Sequence, residues 1–319
     1  MSSCIRPNNF NDFVGNEEVK ENLRIFIEAA KNDNRQLDHC LIYGLPGTGK
    51  TTLAMIIANT LNAKIKILQG SNINKNVDLL NVLLSIDNGD VIFIDEIHSV
   101  KPEIMELLFS AMEDFAIDIT IGKDFNTKVT RMKVPNFTLI GATTKFGKIP
   151  MPLEERFGII INLKEYDIET LKLLVKQYAK KINLELNDDE IFKIASNSKN
   201  IPRNAIKILK RVYDFKTYDK NLNIDEILKK IKIIINGLTS DDFTYLETIN
   251  KHDNPIGLKT ISDIINVDTE TIVNKIEPFL INNGYIAKCS NGRKITNLGI
   301  KMLNVYNKNN GKKTFNKVL

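Results

Sequence analysis

Residues 44–51 have the sequence Gly-Leu-Pro-Gly-Thr-Gly-Lys-Thr and match the pattern GxxxxGK[ST]. The stretch follows the apolar run Cys40–Tyr43 and precedes apolar residues at helical spacing, which is the strand, loop and helix context of a phosphate-binding loop. Glycines at 44, 47 and 49 let backbone N–H groups face phosphates at a helix N-terminus, where the helix dipole adds attraction. A glycine-rich turn without a ligand is the plainer alternative, but the complete motif in this setting favours nucleotide binding.

A second segment supplies the acidic half of such a site. The four apolar residues Val91–Ile94 lead directly into Asp95 and Glu96, as expected where a buried strand ends beside bound phosphates. Lys50 is predicted to reach the β- and γ-phosphates of ATP, while Thr51 and Asp95 hold Mg²⁺. Glu96 is the candidate general base for the attacking water. An ordinary strand end is the alternative, and the preceding phosphate-binding loop weighs against it.

The periodicity of the first half predicts an α/β layer with a largely parallel sheet. Short apolar runs are separated by helix-like segments, which is typical of parallel strands joined by helices. The predicted strands are Cys40–Tyr43, Lys64–Leu68, Val91–Asp95 and Phe137–Ala142. Between Phe115 and Pro135, alternation on both sides of Gly122-Lys123-Asp124 predicts an inserted β-hairpin.

Helical periodicity replaces the strand pattern after Asp167. We expect a small all-α domain whose last helix, Asp225–Asn236, ends at Gly237, a good C-cap. Beyond it, three helical segments and a hairpin around Ser290-Asn291-Gly292 have the order of a winged helix. The predicted domains are therefore residues 1–166, 167–237 and 238–319.

Composition narrows the class of protein. The 319 residues are 43% hydrophobic and 26% charged, values typical of globular proteins and not of disordered ones. The formal net charge of +5 is compatible with a polyanionic partner but too small to indicate one. The three isolated cysteines have neither zinc-site nor disulfide spacing, which favours a reducing compartment. No apolar stretch is long enough for a membrane span and no signal peptide is evident, so we expect a cytoplasmic protein.

Several residues are weaker candidates when taken alone. Arg156 lies at the end of the α/β layer, where a neighbouring subunit could be reached, and Arg203 begins a helix of the second domain. Each is compatible with an ordinary surface arginine. Thr143-Thr144 follows a predicted strand and could place a hydroxyl near Asp95. For His98, structural or coupling roles are favoured over proton transfer.

The order of these motifs resembles the RuvB family of AAA+ ATPases over nearly the whole chain. Walker motifs alone indicate only the superfamily, whereas the hairpin sequence and the strand before Thr144 are more specific. The matching stretches are Ile5-Arg6-Pro7, 13–23, Leu37-Asp38-His39, the phosphate-binding loop, 95–98, 111–116, 121–123, 137–144, 156–158 and Gly284-Tyr285.

The resemblance implies roles for residues that local patterns leave open. Thr144 is implied as sensor 1, Arg203 as sensor 2 and Arg156 as an arginine finger acting on a neighbouring subunit. The implied nucleotide contacts are Ile5, Arg6, Gly44, Gly47, Thr48, Gly49, Lys50, Thr51, Thr52, Glu113, Asp114, Phe115, Arg156, Tyr166 and Arg203. The hairpin carrying Ile117, Ile119 and Ile121 is implied as the docking surface for RuvA, although an apolar hairpin is more often buried core.

The function implied by the resemblance is ATP-driven branch migration of Holliday junctions in recombination, DNA repair and the SOS response. A homohexameric ring would act on double-stranded DNA with RuvA, alongside the RuvC resolvase. Lys288 and Arg293 would contact DNA. The chain departs from the family at Lys145, Glu154, Glu155, Thr269 and the arginine-poor wing, which predicts weaker, salt-sensitive DNA binding.

Two rival functions use the same ATPase core. A DNA-binding switch or loader would use ATP to control assembly, and the hairpin between Phe115 and Pro135 argues against it. A protein unfoldase would show an aromatic pore-loop motif, and no convincing one is visible in the sequence.

Overall fold

The computed structural model describes residues 6–121 and 128–309 of the chain. These residues form two compact units. The first extends to Asn183 and also includes Ile201–Arg203, while the second consists of Leu184–Asn200 and the chain from Asn204 onward. Ile5, the predicted turn at 122–124 and residues 310–319 lie outside the described residues.

A five-stranded sheet forms the centre of the first unit. Every neighbouring pair of strands is parallel. In spatial order the strands are β2 (Ile65–Gln69), β3 (Val91–Asp95), β6 (Thr138–Thr143), β1 (Cys40–Gly44) and β7 (Ile159–Leu163). Four were predicted from the sequence. The fifth, β7, lies at the sheet edge and buries alternate residues, so it lacks the continuous apolar burial of the central strands.

Both faces of this sheet are covered by apolar side chains. Successive residues of a strand point to opposite faces, so Leu41 belongs to one core cluster and Ile42 to the other. Leu139 and Ile140 are divided in the same way. The predicted parallel α/β layer is therefore confirmed.

Helices of the first unit connect the strands and cover the sheet. They are α1 (Glu17–Asn32), α2 (Lys50–Leu61), α3 (Asn76–Leu83), α4 (Pro102–Asp114), α5 (Met151–Glu154) and α6 (Ile168–Lys181). The predicted apolar face of α1 is buried at Leu23, Ile27 and Ala30. Helix α2 begins at Lys50, directly after the glycines of the phosphate-binding loop. A motif residue therefore begins the helix, as the sequence predicted.

The inserted hairpin is also present. Strands β4 (Ala116–Ile121) and β5 (Lys128–Lys133) pair antiparallel from Ala116 with Lys133 to Ile121 with Lys128. They form a separate two-stranded sheet. The hairpin begins directly after α4, whose C-cap Phe115 has a φ of 48°.

The helical part of the second unit corrects one sequence prediction. Its helices are α7 (Asp188–Ser196), α8 (Pro202–Tyr218), whose first two residues belong to the first unit, and α9 (Ile224–Lys230). The predicted helix Asp225–Asn236 is wrong beyond Lys230, because strand β8 (Ile233–Ile235) pairs there with β9 (Leu238–Thr239). Three consecutive β-branched isoleucines favour a strand. Asn236 and Gly237 have φ values of 51° and 76°, so Gly237 lies in a tight hairpin turn and not at a helix C-cap.

The chain ends in the predicted winged helix. Its elements are α10 (Ser240–Asn250), α11 (Leu258–Ile265), the recognition helix over residues 269–282, the wing strands β10 (Ile286–Cys289) and β11 (Gly292–Ile295), and α14 (Asn297–Asn309). Helix α14 was not predicted, although its Leu303 is fully buried in the core of this domain.

One turn of the recognition helix is wider than an α-helical turn. The segment comprises α12 (Thr269–Thr271), a π-helical turn (Ile272–Ile276) and α13 (Glu277–Asn282). Pro278 has no N–H to donate to the carbonyl four residues earlier, and the N–H of Glu277 donates instead to Ile272, five residues back. Across residues 6–121 and 128–309, no helix combines the length and apolar character needed to cross a membrane.

Candidate nucleotide-binding site

The phosphate-binding loop lies at the carboxyl end of β1 and adopts a conformation that requires its glycines. Gly44 has a φ of 150°, and a Cβ there would lie 2.4 Å from the Leu163 carbonyl oxygen. Gly47 has a φ of 86°, and its Cβ would lie 2.9 Å from both the Cβ of Arg203 and a methyl carbon of Ile201. The predicted loop therefore has glycine where neither the backbone nor the surroundings admit a side chain.

Lys50 points back into this loop. Its ammonium donates to the carbonyl oxygens of Gly44 at 2.8 Å and Leu45 at 3.0 Å, and the residue is 7% exposed. Burial lowers the pKa of Lys50, while Glu96 and Asp95 oppose that shift. The Lys50 ammonium is thus directed at the space enclosed by the loop, where it can exchange carbonyl oxygens for phosphate oxygens.

Asp95 and Glu96 lie together at the carboxyl end of β3, one strand beyond β6 from the phosphate-binding loop. The Oδ1 of Asp95 accepts the Glu96 N–H at 3.1 Å, and its Oδ2 accepts the Gln69 amide at 3.4 Å. Glu96 has a φ of 50°, an unusual left-handed conformation for a glutamate. The two neighbouring carboxylates have different partners, since Asp95 accepts from Gln69 on β2 and Glu96 accepts from Thr144 after β6.

Thr144 holds the Glu96 carboxylate. Its hydroxyl lies 3.0 and 2.9 Å from Glu96 Oε1 and Oε2, and its backbone N–H donates to Oε2 at 3.1 Å. Thr144 follows β6, the strand between β1 and β3. The sequence suggested a hydroxyl near Asp95, and the structure brings it to the adjacent carboxylate.

His98 completes this cluster through its Nδ1 atom. Nδ1 lies 3.2 Å from Glu96 Oε2 and 2.9 Å from the hydroxyl oxygen of Thr143. Burial lowers the pKa of His98, while the charge on Glu96 opposes that shift. An imidazole at this position can orient the Glu96 carboxylate, and the structural or coupling role favoured from the sequence stays a prediction.

The N-terminal segment packs against the phosphate-binding loop and α2. The ring of Phe13 would lie 3.1 Å from a Cβ at Gly49. Tyr166 donates its hydroxyl hydrogen to the Val14 carbonyl at 2.7 Å, and burial raises its pKa to about 12. Arg6 is nearby in the same segment, where its guanidinium lies 3.7 Å from the Met55 sulfur on α2. Arg6 and Tyr166 therefore both contact elements next to the phosphate-binding loop, and their implied contacts with the nucleotide stay predictions.

Arg203 contacts the phosphate-binding loop through its backbone. Its N–H donates to the Gly47 carbonyl at 3.3 Å, and Arg203 belongs to the same compact unit as that loop. The positive charge of Arg203 contributes to the lowered pKa of Lys50, after burial. Two cations therefore lie at this loop, where a triphosphate would supply compensating negative charge.

Arg156 lies at the amino ends of the parallel strands, opposite to the carboxyl ends that carry the phosphate-binding loop and Asp95-Glu96. It precedes β7 by three residues, and the first residue of β7, Ile159, pairs with Cys40 at the start of β1. The phosphate-binding loop begins at the other end of β1, a distance of about 15 Å for five residues at the usual strand rise. Arg156 is therefore not placed to contact a nucleotide on its own phosphate-binding loop.

The Arg156 guanidinium is held in a defined position. It donates to the Pro152 carbonyl at 2.6 Å, pairs with Glu113 at 3.0 Å and lies over the Phe109 ring at 4.6 Å. Its Nε is buried without a hydrogen-bond acceptor among the described residues. The side chain is 23% exposed, so part of the guanidinium can still reach a ligand outside the chain.

The same edge holds three residues that the resemblance associated with nucleotide. Glu113 pairs with Arg156, Asp114 pairs with Arg131, and Phe115 stacks obliquely on His39 with ring centroids 6.3 Å apart. His39 immediately precedes β1. Helix α4 thus ends beside the start of β1, away from the phosphate-binding loop of its own chain, and the predicted proximity of these residues to nucleotide stays a prediction.

The proposed docking hairpin needs a partial correction. Ile117 is fully buried and belongs to the core of the first unit, so it is not available to a partner. Ile119 is half-buried against the same core. The side chain of Ile121 lies outside the described residues. On the neighbouring strand, Val129 is 64% exposed.

Both predicted DNA contacts of the wing pair with one buried carboxylate. Glu277 is fully buried, and it pairs with Arg293 at 2.7 Å and Lys288 at 3.0 Å and accepts the Tyr245 hydroxyl at 2.7 Å. Burial raises the pKa of Glu277, but these three hydrogen bonds outweigh it and leave the pKa lowered. Arg293 is 17% exposed and engaged inside the domain, whereas Lys288 is 50% exposed and keeps access to solvent.

Sequence reasoning missed several residues of these sites. Gln69 could have been found, because it ends a strand parallel to β3 and carboxyl ends of neighbouring strands share one edge. Phe13 and Ile201 pack on loop glycines without any motif of their own. For Glu277 the sequence indicates burial only weakly: the charged residue follows the apolar Ile276 and lies one helical turn before the apolar Leu280.

A parallel sheet whose strand ends carry a phosphate-binding loop, an Asp-Glu pair and a polar residue on the intervening strand defines a P-loop ATPase of the AAA+ type. Three family models match consecutive parts of the chain: the Holliday junction DNA helicase RuvB P-loop domain over residues 5–163, the RuvB AAA lid domain over 166–233 and the RuvB C-terminal winged helix domain over 235–304. The chain belongs to the RuvB family.

Individual relatives agree with this assignment. The chain is 47% identical over 297 residues to the Holliday junction branch migration complex subunit RuvB of Mycoplasma genitalium, covering 93% of this chain and 97% of the relative. It is 50% identical over 299 residues to the same subunit of Ureaplasma parvum serovar 3, with coverages of 93% and 96%. The solved Thermotoga maritima RuvB Holliday junction branch migration motor superposes with a TM-score of 0.80 at 36% identity, covering 94% of this chain and 98% of that one.

Proposed function

We propose that this chain is the ATP-hydrolysing motor that drives branch migration of Holliday junctions. One observation carries the proposal: Lys50, Asp95, Glu96 and Thr144 meet at one edge of a parallel sheet, in a chain whose close relatives bear the name of a branch migration complex subunit. The expected reaction is transfer of the γ-phosphoryl group of ATP to water. DNA movement would be coupled to that reaction.

The residues at the carboxyl edge divide this chemistry among themselves. The loop amides and Lys50 bind the phosphates, and Thr51 and Asp95 would hold Mg²⁺. The fit is good, because a hydroxyl and a carboxylate are the hard oxygen ligands that Mg²⁺ prefers. When bound, Mg²⁺ neutralises charge on the β- and γ-phosphates. Glu96, fixed by Thr144 and His98, accepts a proton from the attacking water.

The remaining contacts complete the nucleotide pocket in this proposal. Arg6 and Tyr166 flank the bound nucleotide from the N-terminal side, together with Ile5. Arg203 contacts phosphate as sensor 2, supported by its backbone bond to Gly47. Thr48 and Thr52 belong to the loop motif.

Arg156 acts on a neighbouring subunit in this proposal. Its place at the amino edge, about 15 Å of strand from the loop of its own chain, and its partly exposed guanidinium support action in trans. Glu113 orients Arg156, and Asp114 and Phe115 belong to the same surface. Such an arrangement requires an oligomer, and a homohexameric ring around duplex DNA fits a motor that moves along DNA.

The partners follow from the same proposal. RuvA would hold the junction and contact the exposed side of the β4–β5 hairpin, with Ile119 and Ile121 as remaining candidates, and RuvC would resolve the junction afterwards. Lys288 is the better candidate for a phosphate contact, since Arg293 is engaged with Glu277.

We place the protein in the cytoplasm, where chromosomal DNA lies. Domain boundaries near residues 166 and 237 are supported by the ranges of the three family models.

The decisive experiment is migration of a synthetic four-way junction with purified protein, with and without RuvA, at several salt concentrations. We expect conversion of the junction to duplex products with ATP and Mg²⁺, and none with ADP. Lys50→Ala should abolish conversion, whereas Lys66→Ala, an exposed lysine on β2, should retain it. Hydrolysis of ATP without any conversion of the junction in the presence of RuvA would contradict the motor function and favour a switch or loader.

A further inference from the structure

The stretch Asn197–Arg203 comprises the connection between α7 and α8 and the first two residues of α8, and its residues are divided between the two compact units. Ile201–Arg203 group with the first unit, whereas the residues on either side group with the second. Within the first unit, the Arg203 N–H donates to the Gly47 carbonyl, and the Cβ atom of Arg203 closes the space beside Gly47. One end of the stretch therefore contacts the loop that binds phosphates.

The other end of the stretch is fixed to the winged-helix domain, inside the second unit. The Lys199 ammonium donates to the Asp242 carboxylate at 2.9 Å, and the two side chains are 17% and 3% exposed. The same ammonium lies 5.0 Å from the ring centroid of Phe279, a residue of the recognition helix. Asn197 accepts the N–H of Gly237 at 2.9 Å. These contacts join the stretch to the β8–β9 turn, α10 and the recognition helix.

Asp242 links this ion pair to the start of α10. Its carboxylate also accepts the backbone N–H of Thr239 at 2.8 Å and the Thr239 hydroxyl at 3.0 Å, forming a capping box with the hydroxyl that caps the helix. A displacement of Lys199 would therefore act on the first helix of the winged domain through a buried carboxylate. Buried charges keep their partners, because an unpaired charge in the interior is unfavourable.

The stretch itself is short and conformationally constrained. Lys199 and Asn200 have φ values of 54° and 60°, left-handed conformations that residues other than glycine keep only when their surroundings hold them. Three residues separate Lys199 from Arg203, and each can extend the chain by at most about 3.5 Å. Little slack is therefore available to absorb a movement of Arg203.

We infer that Lys199 is a positioning residue that couples the nucleotide state of the phosphate-binding loop to the DNA affinity of the winged-helix domain. The inference rests on the proposed function, since it requires both a nucleotide and DNA. Arg203 responds to phosphate at one end of the stretch. The Lys199–Asp242 pair conveys the response to α10 and the recognition helix at the other.

The test measures the affinity of the full-length protein for a fluorescent duplex, with a slowly hydrolysed ATP analogue and with ADP. Allosteric couplings usually amount to about 5- to 150-fold, and we expect the wild-type affinity ratio to fall in that range. Lys199→Met keeps the length of the side chain and removes its charge, and it should bring the ratio to within about twofold of one. Lys199→Arg should keep most of the coupling. Basal ATP hydrolysis without DNA should be unchanged in both variants.

The matched control is Lys193→Met, which removes another lysine ion pair of the same unit, with Asp189 and Asp225. It should keep the wild-type ratio, and loss of the ratio there as well would overturn the inference. Asp242→Asn tests the same pair from the other side, because an amide oxygen can still accept the bonds from Thr239. It decides the question if Lys199→Met fails to fold in thermal melts.

A wild-type ratio in both Lys199→Met and Asp242→Asn would overturn the coupling role. So would a wild-type protein that binds duplex equally well with both nucleotides. A wild-type protein that binds duplex with neither nucleotide, or hydrolyses no ATP, would instead refute the proposed function. The two failures are therefore distinguishable in one set of measurements.

Discussion

Replacement of Glu96 by glutamine tests whether Glu96 acts as the general base, separately from its hydrogen bonds that hold the site together. The amide oxygen of the new side chain, in the place of Oε2, can still accept the Thr144 N–H and hydroxyl, the bonds that hold the glutamate at 3.1 and 2.9 Å. No cavity is created, and the left-handed backbone at residue 96 is unaltered. The change removes the basic oxygen and its charge while retaining the bonds that position the side chain.

The expected loss follows from the role of a general base. A positioned base contributes about 10²- to 10⁴-fold to the rate, which is about 3 to 5.5 kcal/mol of barrier at roughly 1.4 kcal/mol per factor of ten. ATP affinity should change by less than about threefold, because binding depends on the loop amides, Lys50 and the metal ligands. Glu96→Gln should therefore lower kcat and leave nucleotide binding nearly intact.

The assay is steady-state phosphate release with junction DNA, combined with equilibrium titration of a fluorescent ATP analogue. Glu103→Gln, the same substitution at an exposed position in the first turn of α4, serves as the matched control and should match wild type. If Glu96→Gln hydrolyses ATP within about tenfold of wild type, Glu96 is not the base. A parallel loss of affinity and rate would mean that the carboxylate mainly builds the site.

Three further predictions test other parts of the molecule. Lys50→Ala and Arg156→Ala should each be inactive in ATP hydrolysis. Rings that mix the two variants should recover activity, because an Arg156→Ala subunit supplies an intact loop and a neighbouring Lys50→Ala subunit supplies the arginine. No recovery at any mixing ratio would refute action of Arg156 in trans. Lys288→Met should reduce the slope of log affinity for duplex against log salt by about 0.9, the value for one phosphate contact. The control Lys229→Met on α9 should leave that slope unchanged. Equal slopes for both variants and wild type would show that Lys288 does not contact DNA phosphate. Burial lowers the pKa of His39, opposed by the Met112 carbonyl and Asp38, so near and below the ordinary histidine pKa of about 6.5 the unfolded state binds more protons than the folded state. The free energy of unfolding should therefore fall as the pH drops from about 7 toward the lowered pKa. Urea unfolding should show a smaller fall for His39→Gln, and an equal fall would assign the pH dependence to other groups.

The geometry of His39 explains why the neutral form is favoured. Its Nδ1 accepts the Leu139 N–H at 2.9 Å, which leaves Nε2 as the donor to the Met112 carbonyl at 3.1 Å. A second ring proton would break the bond to Leu139. His39 thereby ties the end of α4 to β6, close to the Glu113–Arg156 pair.

The sequence by itself determined the parts of this protein that depend on local chemistry. The phosphate-binding loop, the Asp95-Glu96 pair and four of the five parallel strands were predictable, because glycine conformation, buried apolar runs and strand-end acids are properties of contiguous residues. The winged helix was predictable for the same reason, from the order of its helices and its hairpin. The helix predicted over 225–236 failed beyond residue 230, since its apolar spacing fitted a helix while three isoleucines and an Asn-Gly turn formed a hairpin.

Only the tertiary structure decided which distant residues share a site. Parallel strands bring Gln69 beside Asp95 and Thr144 onto Glu96, whereas they separate Arg156 and Glu113 from the loop of their own chain by the length of the sheet. Burial likewise removed Ile117 from the docking surface and directed Arg293 onto Glu277. Local sequence does not encode such pairings, because they depend on which strand ends coincide and on which charges the core encloses.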